Sequence, residues 1–408
     1  MSKLNLHERK ILTLTCLGHF LSHFNMLVFP AVLLPLTSRL NLNLVDVLGL
    51  SFWMYLLFGI TALPWGLAGD RWGVKKLFVV YYLGAFASGL VAAWGIDNPT
   101  ILMIALSGLG FFSGVYHPTG LGWISKEFRQ VSLGMAYNGM FGNLGLATAP
   151  LIAGIINWLW GPREVFIALA LLNLSGLFLI LGMKTSEKAK DQSSSTIKNG
   201  KGQLIAFLML LVGMMLGGIE YRGLSVIIPS YLEIKNADLF QRLASFFTGD
   251  ISNNLIATLI TSLIFLVGMG GQYFGGHLAS RYDLKLCLLG GHLVTVPAAF
   301  ILYQVSNIPL VVITMVYFFF LLGIQPIENT LVTKYTPQKL RHSAFGFKFI
   351  LTFGVGSLSV KVIGIIDQDC GLSYVFPFLG IVASMLVGVV ILLILKTWRE
   401  DHPQRVRA

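Results

Sequence analysis

Twelve apolar runs of membrane-spanning length dominate the sequence and leave only short polar links between them. They lie at about 11–36, 47–68, 77–96, 100–125, 132–158 and 165–183, then at 204–230, 254–279, 284–305, 309–333, 343–366 and 372–395. A helix needs roughly 20 apolar residues to cross a bilayer, so these runs predict membrane-spanning helices. Composition agrees, with 55% of residues hydrophobic and 12% charged, against about 25% charged in soluble domains. One long polar interruption, 184–203, holds Glu187, Lys188, Lys190, Asp191, Ser193, Ser194, Ser195, Lys198 and Lys201. It cannot bury a core and predicts a flexible linker. The expected architecture is an all-α, polytopic membrane protein with six helices in 1–183, a linker at 184–203, six helices in 204–396 and a tail at 397–408.

A net charge of +11 would suit nucleic acid or a membrane surface, so its placement decides. With the N-terminus on the inside, only Arg39, Arg163, Lys235 and Arg242 of the 29 Lys and Arg fall in outer segments. Arg222, Lys348 and Lys361 lie within spans. This asymmetry follows the positive-inside rule, so the charge reports topology and no nucleic-acid partner is expected. Both termini are expected in the cytoplasm. Cys16, Cys287 and Cys370 are scattered and form neither a disulfide framework nor a zinc motif. The first run is too long for a signal peptide and lacks a small-residue cleavage site, which predicts a retained helix.

Between the second and third runs stands Gly66-Leu-Ala-Gly-Asp70-Arg71-Trp-Gly73-Val-Lys75-Lys76. Gly73 permits a sharp turn, and the two lysines suit an anionic cytoplasmic face. A weaker copy follows: Gly66, Arg71 and Lys75 recur as Gly276, Arg281 and Lys285, each 210 residues later. Ser280 and Asp283 replace the aspartate and second glycine of the first copy. Pro118 and Lys126 recur as Pro326 and Lys334 at an offset of 208, and Arg129, Gly134 and Gly142 as Arg341, Gly346 and Gly354 at 212. Three groups at nearly one offset argue for an internal duplication.

The spacing G-x-x-x-D-R-x-G-x-K-K resembles the loop between the second and third helices of major facilitator superfamily transporters. The resemblance extends over the whole chain through span number, central linker and degraded second loop. A narrower likeness lies in Ser113-Gly-Val-Tyr-His117-Pro118, similar to the S-x-V-F/Y-H-P run of fosmidomycin-resistance-type transporters. Gly134-Met-Ala, Gly142-Asn-Leu-Gly145 and Pro150-Leu151 resemble that subgroup and the superfamily's antiporter motif, with Gly154 continuing the small-residue series. This chain departs from those patterns at Ala149, at Thr119, and in having no arginine early in the fourth span. The resemblance implies two pseudo-symmetric six-helix bundles that rock around a central site lined by spans 1, 4, 7 and 10, and secondary active transport, possible as efflux or antiport.

Ionisable groups inside spans are costly unless they face water or a partner, which makes them the main candidates here. His19 and His23 are four apart on one helix face. That spacing can chelate a metal, but no neighbouring Cys, Asp or Glu supplies a further ligand and Phe20 stands where a zinc protease needs glutamate. No metal is expected, and the pair is read as cavity lining. His117 precedes Pro118, which weakens the helix and frees a carbonyl, as a ligand contact, a gate or a plain kink. Glu220 and Arg222, two apart, point in different directions. Gln325, Glu328 and Asn329 share a face of the tenth span, with Lys348 at similar depth to neutralise Glu328. Lys361 either snorkels to the interface or joins Arg222 and the histidines in attracting an anion. Glu220, Glu328 and His117 are the candidates for proton coupling.

No G-x-x-x-x-G-K-S/T loop occurs, which disfavours ATP-driven transport by this chain. The expected activity is export or exchange of a small anionic or amphiphilic solute such as a drug, by a monomer without cofactor whose other partners are membrane lipid and protons. Import of an organic acid or metal chelate is the alternative, and a membrane metalloenzyme built on His19 and His23 is the competitor from another class. No enzymatic activity is expected. Short loops suggest a bacterial inner membrane.

Overall fold

Among the residues described by the computed structural model, 4–183, 201–246, 251–336 and 341–401, there are helices and no strands. Eleven helices are long and apolar enough to cross a membrane, and joining Leu33–Leu40 to Leu44–Ile60, bent by 113°, brings the number to twelve. The bend separates a short helix that ends span 1 from the start of span 2. Span 2 itself continues from Leu44–Gly49 through Phe52–Ile60 to Ala62–Trp72, because the junction residues Leu50, Ser51 and Thr61 keep right-handed helical dihedrals.

The remaining spans follow in order. Span 1 is Leu6–Ala31, span 3 Val74–Trp94, span 4 Pro99–Glu127, span 5 Val131–Leu159 and span 6 Pro162–Gly182. Span 7 is Lys201–Lys235, span 8 Asn253–Ala279, span 9 Leu284–Leu302, span 10 Asn307–Tyr335, span 11 Ala344–Cys370 and span 12 Val375–Asp401. Span 7 thus begins three residues before the expected boundary, and span 12 runs beyond the expected end at 396. The linker at 184–200 and the tail from 402 lie outside the described residues. The outer segment between spans 7 and 8 carries a short helix, Ala237–Ala244, pinned by buried Phe240 and by Asn307, which accepts from the Leu239 amide and donates to Asn236.

Local chemistry explains several breaks. Gly73 joins spans 2 and 3 at φ 84°, ψ 145°, a conformation that a Cβ opposes. In the second copy the turn is made differently: Asp283, at φ −61°, caps span 9 by accepting from the amides of Lys285 and Leu286. Spans 4 and 10 each break just before a proline, around Gly114–Val115 ahead of Pro118 and at Ile324 ahead of Pro326. Span 11 carries a single π turn, Ile350–Gly354, followed by a 3-10 turn at Val355–Ser357. Such bulges re-aim a helix face and often mark functional positions.

Pseudo-symmetry recurs in the contacts. A Cβ on Gly66 would lie 3.3 Å from Pro118, and one on Gly276 would lie 4.0 Å from Pro326. Lys75 donates to the Met183 carbonyl at the end of span 6, and Lys285 donates to Thr397 near the end of span 12, both at 2.7 Å. In each half, a lysine from the first turn of the third helix therefore ties down the end of the sixth, where helix carbonyls lack partners.

Candidate functional site

A cavity of about 1540 Å³ lies between the halves. At one end it is lined by Asp70, Lys126, Gly276 and Ser280, on the side of the two loop motifs. At the other end the halves meet. There Asn254 of span 8 donates to the Ala31 carbonyl of span 1 at 3.0 Å and accepts from Asn157 of span 5 at 3.0 Å. It also donates to Glu233 of span 7 at 3.2 Å. A Cβ on Gly154 would fall 1.8 Å from Thr258, and one on Gly59 would fall 2.1 Å from the Gly354 backbone, so spans 5 and 8, and spans 2 and 11, are in direct contact. Pro150 lies inside the continuous helix of span 5, and Ser262 of span 8 donates to the nearby Ala147 carbonyl. The hollow is open on the loop-motif side and shut on the other.

Of the four histidines in its lining, His277 lies on the rim and the other three cluster together. His19 and His23 project from one face of span 1, and the broken span 4 brings His117 against both, with ring centroids 5.3 and 5.1 Å away. His19 Nδ1 lies 2.9 Å from the Asn138 carbonyl oxygen of span 5, so that nitrogen is the donor, and His19 Nε2 lies 3.1 Å from His23 Nε2. Tyr116 stacks on His19 and donates its hydroxyl to the Asn138 side chain at 2.8 Å. Gly142 makes this possible, since a Cβ there would lie 2.6 Å from the His19 ring. Gly145, one turn on, lets span 5 rest against the Phe20 carbonyl. Phe58, Phe349 and Phe353 surround the His117 ring.

Opposite them, Gln325, Glu328, Asn329 and Lys348 line the hollow. Lys348 donates to Asn329, and no ion pair joins it to Glu328 among the described residues. Lys348 and Glu328 thus act on each other's charge across one polar wall without an ion pair. Gln272 donates to Gln325 at 2.7 Å and accepts from Asn143, so a chain of amides crosses from span 5 through span 8 to span 10.

Three expected cavity residues are not in its lining. On span 7, Tyr221 faces the hollow, and Glu220 and Arg222 each turn about 100° away from it. Glu220 is fully buried and accepts from Tyr317 of span 10 at 2.6 Å. Arg222 turns towards the other half and lays its guanidinium 3.9 Å over the Tyr55 ring. Lys361 is exposed, with its ammonium 4.5 Å over the Phe52 ring, as a snorkelling side chain would be. Arg222 and Lys361 thus stand outside the lining itself, where the buried cation is Lys348.

Residues 15–360 match the family model described as Major Facilitator Superfamily. The chain belongs to this superfamily. Its fold is shared with a bacterial homologue of the human lysosomal transporter Spinster, solved in an inward-facing, unoccupied conformation (TM-score 0.70, 13% identity, 97% of this chain and 96% of that one). It is likewise similar to a D-xylose–proton symporter (0.69, 13%, 93% and 97%) and to a peptide transporter in complex with sulfate (0.70, 14%, 94% and 94%). In sequence it is 27% identical over 179 residues to the tetracenomycin C resistance and export protein of Streptomyces glaucescens, a match spanning 43% of this chain and 32% of that relative.

Gly66 and Asp70 of the first loop motif border the hollow. Asp70 pairs with Lys126 at the end of span 4 at 2.8 Å, whereas Arg71 and Lys76 are exposed. In the second copy Ser280 donates to the His277 carbonyl, Lys334 lies over Tyr335, and Arg281 is exposed. Sequence reasoning missed Asn138, Asn254, Gln272, Tyr317 and His292, the last fully buried with both ring nitrogens unpartnered. Asn254 opens its apolar run and the others each stand within one, a signal legible for Asn138 and Asn254 once buried amides are asked for partners.

Proposed function

We propose that this superfamily member is a secondary carrier that moves a small amphiphilic organic solute bearing an acidic group by alternating access. The observation that carries this reading is the cavity between the halves, open at the loop-motif side and closed by Asn254 and its partners at the other. The moving bodies are 1–183 and 204–396, joined by the linker at 184–203. The loop-motif side is cytoplasmic by the charge asymmetry of the sequence, which makes this the inward-open state of a monomer in a bacterial inner membrane. Lys348 and Asn329 offer donors to an acidic group, and Phe349, Phe353, Met135 and Met214 offer apolar surface to the rest.

Export is the favoured direction because the one curated relative above is an antibiotic export protein. Protons are the favoured coupling ion. Glu328 faces the hollow, and Glu220 lies behind it with one carboxylate oxygen held by Tyr317 and the other, Oε2, unpartnered. His117 borders the same wall and is the third candidate for carrying a proton.

Reconstitution into proteoliposomes tests the reading. Anionic amphiphiles should accumulate or be released when a pH gradient is imposed, and Lys348→Ala should cut flux by about tenfold while neutral analogues change less. Flux indifferent to the pH gradient would remove proton coupling. Equal loss for charged and neutral solutes in Lys348→Ala would remove the acidic group from the substrate description.

A further inference from the structure

We infer that His19, His23 and His117 form a binding site for a divalent first-row transition metal ion, with a fourth position open to the cavity for an anionic donor atom. One imidazole nitrogen from each of the three lies within 4.8 Å of those of the other two. Neighbouring nitrogens on a tetrahedral zinc ion sit about 3.4 Å apart, and His19 Nε2 and His23 Nε2 are already 3.1 Å apart. His117, whose Nδ1 has no hydrogen-bond partner, supplies the third donor within the same 4.8 Å.

The surroundings are those of a ligand set. The Asn138 carbonyl takes the Nδ1 proton of His19, which leaves the Nε2 lone pair directed at the other two rings. A backbone acceptor behind a ligating histidine fixes tautomer and orientation in this way. Tyr116 stacks against the same ring and reaches Asn138 through its hydroxyl. Phe58, Phe349 and Phe353 enclose His117 with apolar rings, which raises the strength of any electrostatic contact inside. Imidazole is a donor suited to Zn, Cu, Ni and Fe rather than to Mg or Ca.

Charge then selects what accompanies the metal. Three neutral imidazoles leave the dication's charge uncompensated. The fixed charges acting on the trio are also cationic, Arg222 on His23 and Lys348 on His117. An anionic donor in the fourth position therefore supplies the missing charge while meeting Lys348. The site fits a metal that arrives with an anionic organic ligand.

Tag-free protein stripped with chelator and titrated with Co²⁺ provides the test. The expected result is one Co²⁺ per chain, the visible bands of a tetrahedral centre, and displacement by Zn²⁺. Added azide should shift those bands by entering the open position. His19→Ala and His117→Gln should each weaken Co²⁺ binding roughly tenfold or more, with His277→Ala, on the cavity rim, unchanged. X-ray absorption of the wild-type complex should count three imidazoles, a readout that stands even where a variant fails to fold. Fewer than three imidazoles, or binding unchanged in His117→Gln, overturns the site, and bands indifferent to azide overturn the open position. Loss of the metal site with solute flux intact would leave the carrier reading standing.

Discussion

At the scale of single residues, the site depends on positions where space or charge leaves no alternative. Gly142 gives His19 its place, because a Cβ would meet the ring at 2.6 Å. Gly142→Ala should displace the imidazole from Asn138 and cost about 1–3 kcal/mol through overpacking. Thermal unfolding in detergent and flux in proteoliposomes should both fall, whereas Gly290→Ala, with nothing within 4 Å of its Cβ and outside the cavity lining, should leave both unchanged. Asp97 ties three outer segments of the first half, accepting from Arg39 at 2.6 Å and Arg163 at 3.1 Å. The hydrogen bond from Arg39 holds its carboxyl below the ordinary carboxylate range, with Arg163 adding to the effect. A depressed folded value means that the tie contributes above the unfolded value of about 3.9 and is lost as pH falls through the lowered one. Asp97→Asn should therefore unfold at a slightly lower temperature than wild type at pH 7, and that difference should vanish in strong acid.

At the scale of elements, helix interruptions do most of the positioning. The breaks before Pro118 and Pro326 free backbone groups at membrane depth, which is tolerated where the chain borders a wet hollow. The π turn of span 11 lets Lys348, Phe349 and Phe353 face the cavity while Gly354 packs on span 2 and Gly356 on span 7. On the shut side, Asn254 is shared among spans 1, 5, 7 and 8. Asn254→Ala removes all three side-chain contacts and should shift the population towards a state open on that side. A cysteine placed at Asn157 should then react faster with a membrane-impermeant thiol reagent, by about tenfold for a change of about 1.4 kcal/mol; an unchanged rate would show that the amide does not hold the seam.

For the whole molecule, the pairing of Lys75 with span 6 and of Lys285 with span 12 shows two copies of one plan. Each half is tied within itself, and the seam between them includes close glycine contacts, a few amides and aromatic contacts such as Arg222 over Tyr55 and Phe58 against Phe353. Such a seam suits rigid-body rocking. A cross-link over the shut end should therefore abolish flux without emptying the cavity. Val45 and Gly364 suit this, since a Cβ on Gly364 would lie 2.8 Å from the Val45 side chain. In a background without Cys16, Cys287 and Cys370, oxidised Val45→Cys/Gly364→Cys protein should bind solute from the loop-motif side but not transport it, and reductant should restore transport. Transport that persists in the oxidised form would mean that the halves do not separate there.

Much of this was legible in the residues because it depends on one segment meeting lipid or water. Run length determined the spans, the placement of Lys and Arg determined the sidedness expected of them, and Gly73 determined a turn that a Cβ would oppose. The duplication was visible in Gly66/Gly276 and Pro118/Pro326 before their contacts were. What only the tertiary structure decided is the rotation and depth of each helix against distant ones. Glu220 and Arg222 read equally well as cavity groups until packing gave that face of span 7 to Tyr221. His117, 94 residues from His23 in the sequence, meets the histidine pair only because span 4 breaks and packs on span 1. Lipid outside a bundle constrains where a helix is apolar, but neighbouring side chains decide which polar groups meet inside it.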